Sequence, residues 1–175
     1  MSVASEGVEK KPHGYQAPAG TGIGHIHLQV TDLDRALGFY RDVLGFTVTL
    51  RFGEQAAFLS AGGYHHHIGL NTWHSRGGRP AQREGMAGLF HAAILYPTRA
   101  DLGRVLQRLL DHHYPLTGNA DHGVSEALYL DDPDGNGIEL YWDRPRETWP
   151  TDATGALVMY TEALDLNDLL AAGRS

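Results

Sequence analysis

The stretch Gly24-His25-Ile26-His27-Leu28-Gln29-Val30 decides the fold, because a related stretch, Leu89-Phe90-His91-Ala92-Ala93-Ile94-Leu95, occurs later in the chain. Both stretches are short, rich in apolar residues and typical of strands, and each carries a histidine near its start. His25 and His91 are 66 residues apart (91 − 25). The repeat predicts an internal duplication with one histidine strand in each copy.

Each copy continues with the same predicted order of a strand, a helix and three strands. Thr31 and Thr98, 67 residues apart (98 − 31), each precede an apolar stripe at spacings of three and four, so each is predicted to cap a helix. The stripes are Leu33, Leu37, Tyr40 and Leu44 in the first copy, and Leu102, Val105, Leu106, Leu109 and Leu110 in the second. The further predicted strands cover 46–52, 55–60, 64–71, 127–130 and 137–141.

This order predicts an α+β fold in which two tandem βαβββ modules form an open, eight-stranded, barrel-like sheet around a cleft. A polar segment, 75–88, with Gly77-Gly78-Arg79-Pro80 is interpreted as a linker or lid loop between the copies. The predicted boundaries are a flexible arm at 1–20, a paired domain at 21–146 with modules at about 21–75 and 88–146, and an extension at 147–175 with a possible strand at 157–161 and a short helix at 164–172.

The composition narrows the function classes. A formal charge of −7 without a basic run argues against nucleic-acid binding, and the lack of cysteine excludes disulfides, thiolate metal sites and cysteine nucleophiles. No apolar stretch reaches the roughly 18 residues that span a bilayer, and the first residues lack a signal-peptide core, so we expect no membrane partner and a cytoplasmic location. An uncovered sheet edge makes a homodimer the expected assembly.

Three side chains are candidate metal ligands: His25, His91 and Glu139. Two imidazoles and a carboxylate form the open facial triad of non-haem Fe(II) oxygenases, which leaves coordination positions free. Glu139 lies in an otherwise apolar strand, where a buried carboxylate needs a partner. His27 is two residues from His25 and therefore on the same strand face, so it is an alternative ligand.

The run His65-His66-His67 leaves the choice of a catalytic histidine open. A regular strand sends His66 to one face and its neighbours to the other, which favours His66, but a bulge would favour His67.

Taken together, Gly24-His25, Phe90-His91 and the turn Asp132-Pro133-Asp134-Gly135-Asn136-Gly137-Ile138-Glu139-Leu140 resemble the vicinal oxygen chelate superfamily over about residues 22–145. That superfamily includes glyoxalase I, fosfomycin and bleomycin resistance proteins, and type I extradiol catechol dioxygenases. The turn with its following Glu is a strong sign of the superfamily, but it does not indicate which activity is present.

Two details make the chain most similar to the dioxygenases. Gly69 stands where four-ligand, glyoxalase-like members carry a second Glu. His66 and His122 match two catalytic positions of the dioxygenases. Tyr129, which lies ten residues before Glu139, matches a third, although it could also serve only as a packing residue. The resemblance implies an Fe(II) cofactor, with Mn(II) or another divalent metal as the alternative, and a catechol-type diol and O₂ as substrates. A glyoxalase-type lyase or isomerase with His67 as fourth ligand, and a metal-free binding protein, remain open alternatives.

Overall fold

In the computed structural model the described residues are 14–80 and 85–174. The predicted arm at 1–20 therefore falls largely outside the described residues, as does the middle of the predicted linker. The elements are, in order, β1 (Ile26–Gln29), α1 (Leu33–Leu37) with a π-helical continuation (Gly38–Val43), β2 (Thr47–Phe52), β3 (Ala56–Ser60), β4 (Ile68–Asn71), β5 (Ala92–Leu95), α2 (Arg99–Asp111), β6 (Gly118–Asp121), β7 (Ser125–Asp131), β8 (Gly137–Asp143) and α3 (Leu166–Arg174).

The strands form two mixed sheets of four, ordered β1-β4-β3-β2 and β5-β8-β7-β6. The parallel pairs are β1 with β4 in the first sheet and β5 with β8 in the second, and the other pairings are antiparallel. A parallel neighbour needs a crossover between the two strands, and here α1 or α2 lies within that connection. The predicted α+β fold of two tandem βαβββ modules is confirmed, with eight strands in two sheets that do not close into a barrel.

Helices α1 and α2 each cover one face of their sheet with most of the apolar stripe that the sequence predicts, but Leu110, predicted in the second stripe, is exposed. Tyr40 and Leu37 of the first module, and Leu102, Leu106 and Leu109 of the second, are fully buried in one common core. Burying a side chain of this size contributes about 1.5–3 kcal/mol. On the opposite face of each sheet the side chains are less buried, and His27 and Glu139 lie there. We call this the free face of the sheet.

The turn between β7 and β8 joins the two modules. The Thr31 hydroxyl donates to Asp134 Oδ1 (2.6 Å), its backbone N–H donates to Oδ2 (3.1 Å), and the Tyr40 hydroxyl donates to Asp132 Oδ2 (2.9 Å). Arg35 forms an ion pair with Asp134 at 2.6 Å. We call these contacts the intermodule junction. They tie the start of the first helix to the end of the second sheet.

The junction also corrects a prediction. Thr31 does not cap α1, because its hydroxyl is bonded to Asp134. Asp32 is the cap instead, and its side chain accepts a hydrogen bond from Arg35 N at 2.9 Å. In the second module the prediction is confirmed, since the Thr98 hydroxyl accepts from Asp101 N at 3.1 Å.

The C-terminal part packs on the second module. Helix α3, predicted at 164–172 and observed at Leu166–Arg174, lies so close to α2 that a Cβ on Gly103 would stand 2.3 Å from Leu169 O. The predicted strand at 157–161 is wrong, because only isolated bridges occur there, Thr151 with Leu157 and Asp121 with Glu162. Within the described ranges, no helix is long and apolar enough to cross a membrane.

Candidate metal and catalytic cleft

The second module brings four polar side chains together on its free sheet face. The strand register pairs Tyr129 directly with Glu139. Ala92, the first residue of β5, is paired with Ile138, so His91, which precedes it, lies near Glu139. His91 Nε2 lies 2.9 Å from Glu139 Oε2, and the Tyr129 hydroxyl oxygen lies 3.2 Å from Glu139 Oε1. His122 Nε2 lies 2.8 Å from the same hydroxyl. The predicted ligands His91 and Glu139 are therefore adjacent, with the predicted Tyr129 and His122 behind them.

The Tyr129 hydroxyl is a neutral donor over the whole range of ordinary pH. Burial, together with the charge of Glu139 and the hydrogen bond to it, raises the pKa of Tyr129 to about 12. A phenol with this pKa keeps its proton, so it can bond to either Glu139 or His122 but, having one proton, not donate to both.

The first module gathers a second set of imidazoles. The His25 and His66 rings are 4.4 Å apart, and His66 also makes an edge contact with Phe58 at 5.0 Å. Burial, and then the neighbouring His25, lower the pKa of His66. His65 Nδ1 lies 2.8 Å from His66 Nδ1.

His67 has different surroundings. Its Nδ1 lies 3.2 Å from Ser60 Oγ and 3.3 Å from Ala61 N, so this ring atom is bonded to the neighbouring strand β3. Strand β4 begins only at Ile68, one residue after the histidine run. The irregular backbone before β4 explains how His66 reaches Phe58, a residue on the free sheet face.

His27 fills the space that a carboxylate would need in the first module. It is paired with Gly69, and a Cβ on Gly69 would stand 2.9 Å from two atoms of the His27 ring. Real Cβ atoms do not make contacts this short. The same ring packs against Phe58 and Trp73, each at 5.6 Å between centroids. Burial, and then His25, lower the pKa of His27. The sequence reasoning missed this contact, although a glycine aligned with Glu139 was the available signal.

Members of the two sets line different cavities. One, of about 250 Å³, lies between the modules and includes His25, His67 and residues 93–97 of the second module. The other, of about 280 Å³, includes His91 and Tyr129. Within residues 14–80 and 85–174 no three His, Asp or Glu side chains form a group able to hold a metal ion. His25 therefore stands apart from the His91–Glu139 pair.

The chemistry of the His91–Glu139 pair nevertheless fits a divalent ion. Adjacent ligands of an octahedral ion with bonds of about 2.1 Å stand about 3 Å apart, and His91 Nε2 and Glu139 Oε2 are 2.9 Å apart. His25, the predicted third ligand, precedes β1. Residues of β1 and of β5, which follows His91, line one cavity between the modules. Two imidazoles and one carboxylate are a donor set for Fe(II), Mn(II) or another divalent ion.

Comparison with known proteins agrees with the fold. Residues 22–140 match the model of the Glyoxalase/Bleomycin resistance protein/Dioxygenase superfamily, and the chain belongs to this superfamily. It is 46% identical over 150 residues to a catechol-2,3-dioxygenase of Bacillus subtilis (strain 168), covering 86% of this chain and 51% of that protein. It is 34% identical over 121 residues to biphenyl-2,3-diol 1,2-dioxygenase 3 of Rhodococcus globerulus, covering 69% of this chain and 63% of that protein.

The chain thus spans about half of the Bacillus protein and somewhat under two thirds of the Rhodococcus protein. Among solved structures, a glyoxalase/dioxygenase from Nostoc punctiforme is similar in fold, with a TM-score of 0.61 and 17% identity, over 77% of this chain and 99% of that one.

Proposed function

We propose that this chain is an extradiol ring-cleaving dioxygenase that uses Fe(II) to open a catechol-type aromatic diol with O₂. The observation that carries the proposal is the His91–Glu139 pair at a spacing of 2.9 Å, with Tyr129 and His122 aligned behind the carboxylate. The dioxygenase activities named for the Bacillus and Rhodococcus relatives support the same class of reaction.

Three side chains would hold the metal: His25, His91 and Glu139. Bound there, Fe(II) would supply the redox chemistry that couples the diol to O₂. Gly69 contributes no side chain at the position that matches Glu139. The His27 ring fills the space beside Gly69, so no carboxylate is supplied there. A three-residue protein donor set of this kind leaves coordination positions for the substrates, whereas a fourth protein ligand would favour Lewis-acid chemistry.

The surrounding side chains would orient the diol and move its protons. His66, in contact with His25, is the candidate proton acceptor for a diol hydroxyl, and the Tyr129–His122 pair would hold the hydroxylated edge of the ring. The overall reaction breaks the ring bond beside the diol and incorporates both atoms of O₂. The product is an open chain of the muconic semialdehyde type, with one aldehyde, one carboxylic acid and the second diol oxygen retained as an enol hydroxyl.

The test is to purify the protein without air, load it with Fe(II), and add catechol and then O₂. We expect a yellow ring-opened product that requires both the metal and O₂, followed spectrophotometrically. Product formation from a suitable substrate without O₂ would instead indicate a glyoxalase-type lyase or isomerase. Tight binding of catechol without turnover, with or without metal, would indicate a binding protein.

A matched pair of variants tests the role of His66. His66→Ala should keep its iron but lower kcat by about 100-fold, because general acid–base catalysis contributes on this scale. His112→Ala, at the exposed C-terminal end of α2, is the control and should leave kcat unchanged. Unchanged turnover in His66→Ala would move the role to His67 or remove it.

A further inference from the structure

A segment after the second module is seated directly against the loop that carries His122. We define this C-terminal strap as residues 149–162. Its Glu162 exchanges two backbone hydrogen bonds with Asp121, at 2.9 and 3.0 Å, and Tyr160 N donates to His122 O at 3.3 Å. The strap therefore has a fixed position relative to the loop.

Gly123 permits this close approach. Its φ is +77°, and a Cβ built on it would stand 2.6 Å from the Tyr160 ring and 2.9 Å from the Pro150 ring. Any side chain at position 123 would both adopt an unfavourable backbone conformation and displace the strap. The loop and the strap thus fit together only because residue 123 is glycine.

The strap reaches the His122 side chain through its backbone. His122 Nδ1 lies 2.9 Å from the carbonyl oxygen of Tyr160, and Thr161 Oγ1 is 3.3 Å from the same nitrogen. A carbonyl oxygen can only accept, so the 2.9 Å contact requires a proton on Nδ1. In neutral imidazole the other nitrogen, Nε2, is then an acceptor, and it faces the Tyr129 hydroxyl at 2.8 Å.

We propose that the Tyr160 carbonyl is a positioning group that holds His122 in its Nδ1–H tautomer, so that Nε2 accepts a hydrogen bond from the Tyr129 hydroxyl. This inference deepens the proposed function and rests on it for its catalytic consequence. The Tyr129 proton then points to His122, at 2.8 Å, and away from Glu139, at 3.2 Å. Both Glu139 oxygens remain available to a metal, and His122 is left able to accept a proton passed along from the bound diol through Tyr129.

The tautomer can be measured without metal or substrate. In long-range ¹H–¹⁵N correlation spectra of ¹⁵N-histidine-labelled protein, recorded at about pH 8.5, His122 should show a protonated Nδ1 and an unprotonated Nε2. The variant His122→Asn assigns the signal by its disappearance. A protonated Nε2 in the wild-type protein would overturn the proposal.

Gly123→Ala tests whether the strap sets this tautomer. We expect its His122 signals to shift to a mixture of tautomers, and kcat of the Fe(II)-loaded protein to fall about 10-fold with KM changed less than about 2-fold. Gly45→Ala is the matched control, since Gly45 has a φ of +84° but open space around it, and its His122 signals should equal those of the wild type.

A folded Gly123→Ala protein with an unchanged His122 tautomer would overturn the role of the strap. If Gly123→Ala does not fold, the wild-type spectrum decides the matter alone. Failure of the loaded wild-type protein to open catechol would overturn the proposed function while leaving the tautomer result standing, so the two failures are distinguishable.

Discussion

The two modules share one backbone plan but divide the polar groups of the cleft between them in opposite ways. In the second module the small residue Ala93 is paired with Glu139, whereas in the first the large residue His27 is paired with Gly69. Among the described residues, the second module thus supplies the carboxylate of Glu139, with Tyr129 beside it, whereas the side chains grouped in the first are imidazoles. The comparison teaches that a change of two facing side chains, without a change of fold, decides how many carboxylates reach the cleft.

Removal of the one carboxylate should have the largest effect. Glu139→Gln should lower Fe(II) affinity more than about 100-fold, since loss even of groups that support metal ligands costs 10–100-fold. Metal titration of anaerobic protein measures this. Glu147→Gln, an exposed change in the same chain, should bind iron normally. Full iron occupancy in Glu139→Gln would exclude this residue as a ligand.

The His27–Gly69 contact should be detectable as an energetic coupling. Gly69→Ala should lower the free energy of unfolding by about 1–3 kcal/mol, because the new methyl group overpacks against the His27 ring. His27→Ala in the same protein should relieve most of this loss in a double-mutant cycle measured by urea unfolding.

Gly118→Ala is the matched control in the second module, since a Cβ on Gly118 would make only an ordinary 3.7 Å contact with Tyr129. It should change stability by no more than about 1 kcal/mol, in the stabilising direction. Additive effects of Gly69→Ala and His27→Ala would show that the two positions do not compete for space.

The two modules also differ in how a tyrosine is hydrogen-bonded: Tyr40 is buried in the core, and Tyr114 packs against it half-buried. The Tyr40 hydroxyl donates to the buried carboxylate of Asp132, while the Tyr114 hydroxyl donates to the backbone carbonyl of Asp131. Tyr40→Phe should cost about 1–3 kcal/mol by leaving a buried charge short of a donor, and Tyr114→Phe about 0.5–1.5 kcal/mol. Equal losses in urea unfolding would contradict the importance of the junction.

The raised pKa of Tyr40 should make the free energy of unfolding depend on pH in alkaline solution. Burial, and then the charge of Asp132 and the hydrogen bond to it, raise the pKa of Tyr40 well above its usual value. The folded state then holds a proton that the unfolded state loses near pH 10, so stability is fully present below about pH 10 and falls as the pH rises further. Urea unfolding at several pH values should show a shallower fall in Tyr40→Phe than in the wild type; an identical fall would contradict this shift.

Local signals predicted the second module better than the first. Helix α2 and its Thr98 cap follow from contacts within one turn of chain. Thr31 has the same local pattern, but its hydroxyl bonds to Asp134, 103 residues away, and this long-range partner decides its role. The sequence predicts strand β4 from residue 64, but the strand begins at Ile68, because the side chains of the preceding histidine run bond to one another and to β3. No strand is predicted for Gly118-Asn119-Ala120-Asp121, which forms β6, because this stretch has no apolar alternation.

The candidate site divides in the same way. Tyr129 is predicted from the family resemblance, by its place ten residues before Glu139, and the structure pairs the two residues across the hairpin of β7 and β8. The Gly69–His27 contact and the Tyr160 carbonyl beside His122 depend on strand register and on a distant segment, neither of which composition or periodicity encodes. Backbone groups in particular carry no signature in the letters of a sequence.

The acidic turn that is the most recognisable stretch of this chain has both of its first carboxylates occupied away from the cleft. Asp132 is held by the phenol of Tyr40, and Asp134 by Thr31 and Arg35, so neither is available for chemistry. The motif is therefore structural: it marks a duplicated chain in which one module is bonded to the other. Where the same turn occurs in a newly sequenced protein, it predicts the fold, and only the residue that follows it, Glu139 here, bears on the reaction.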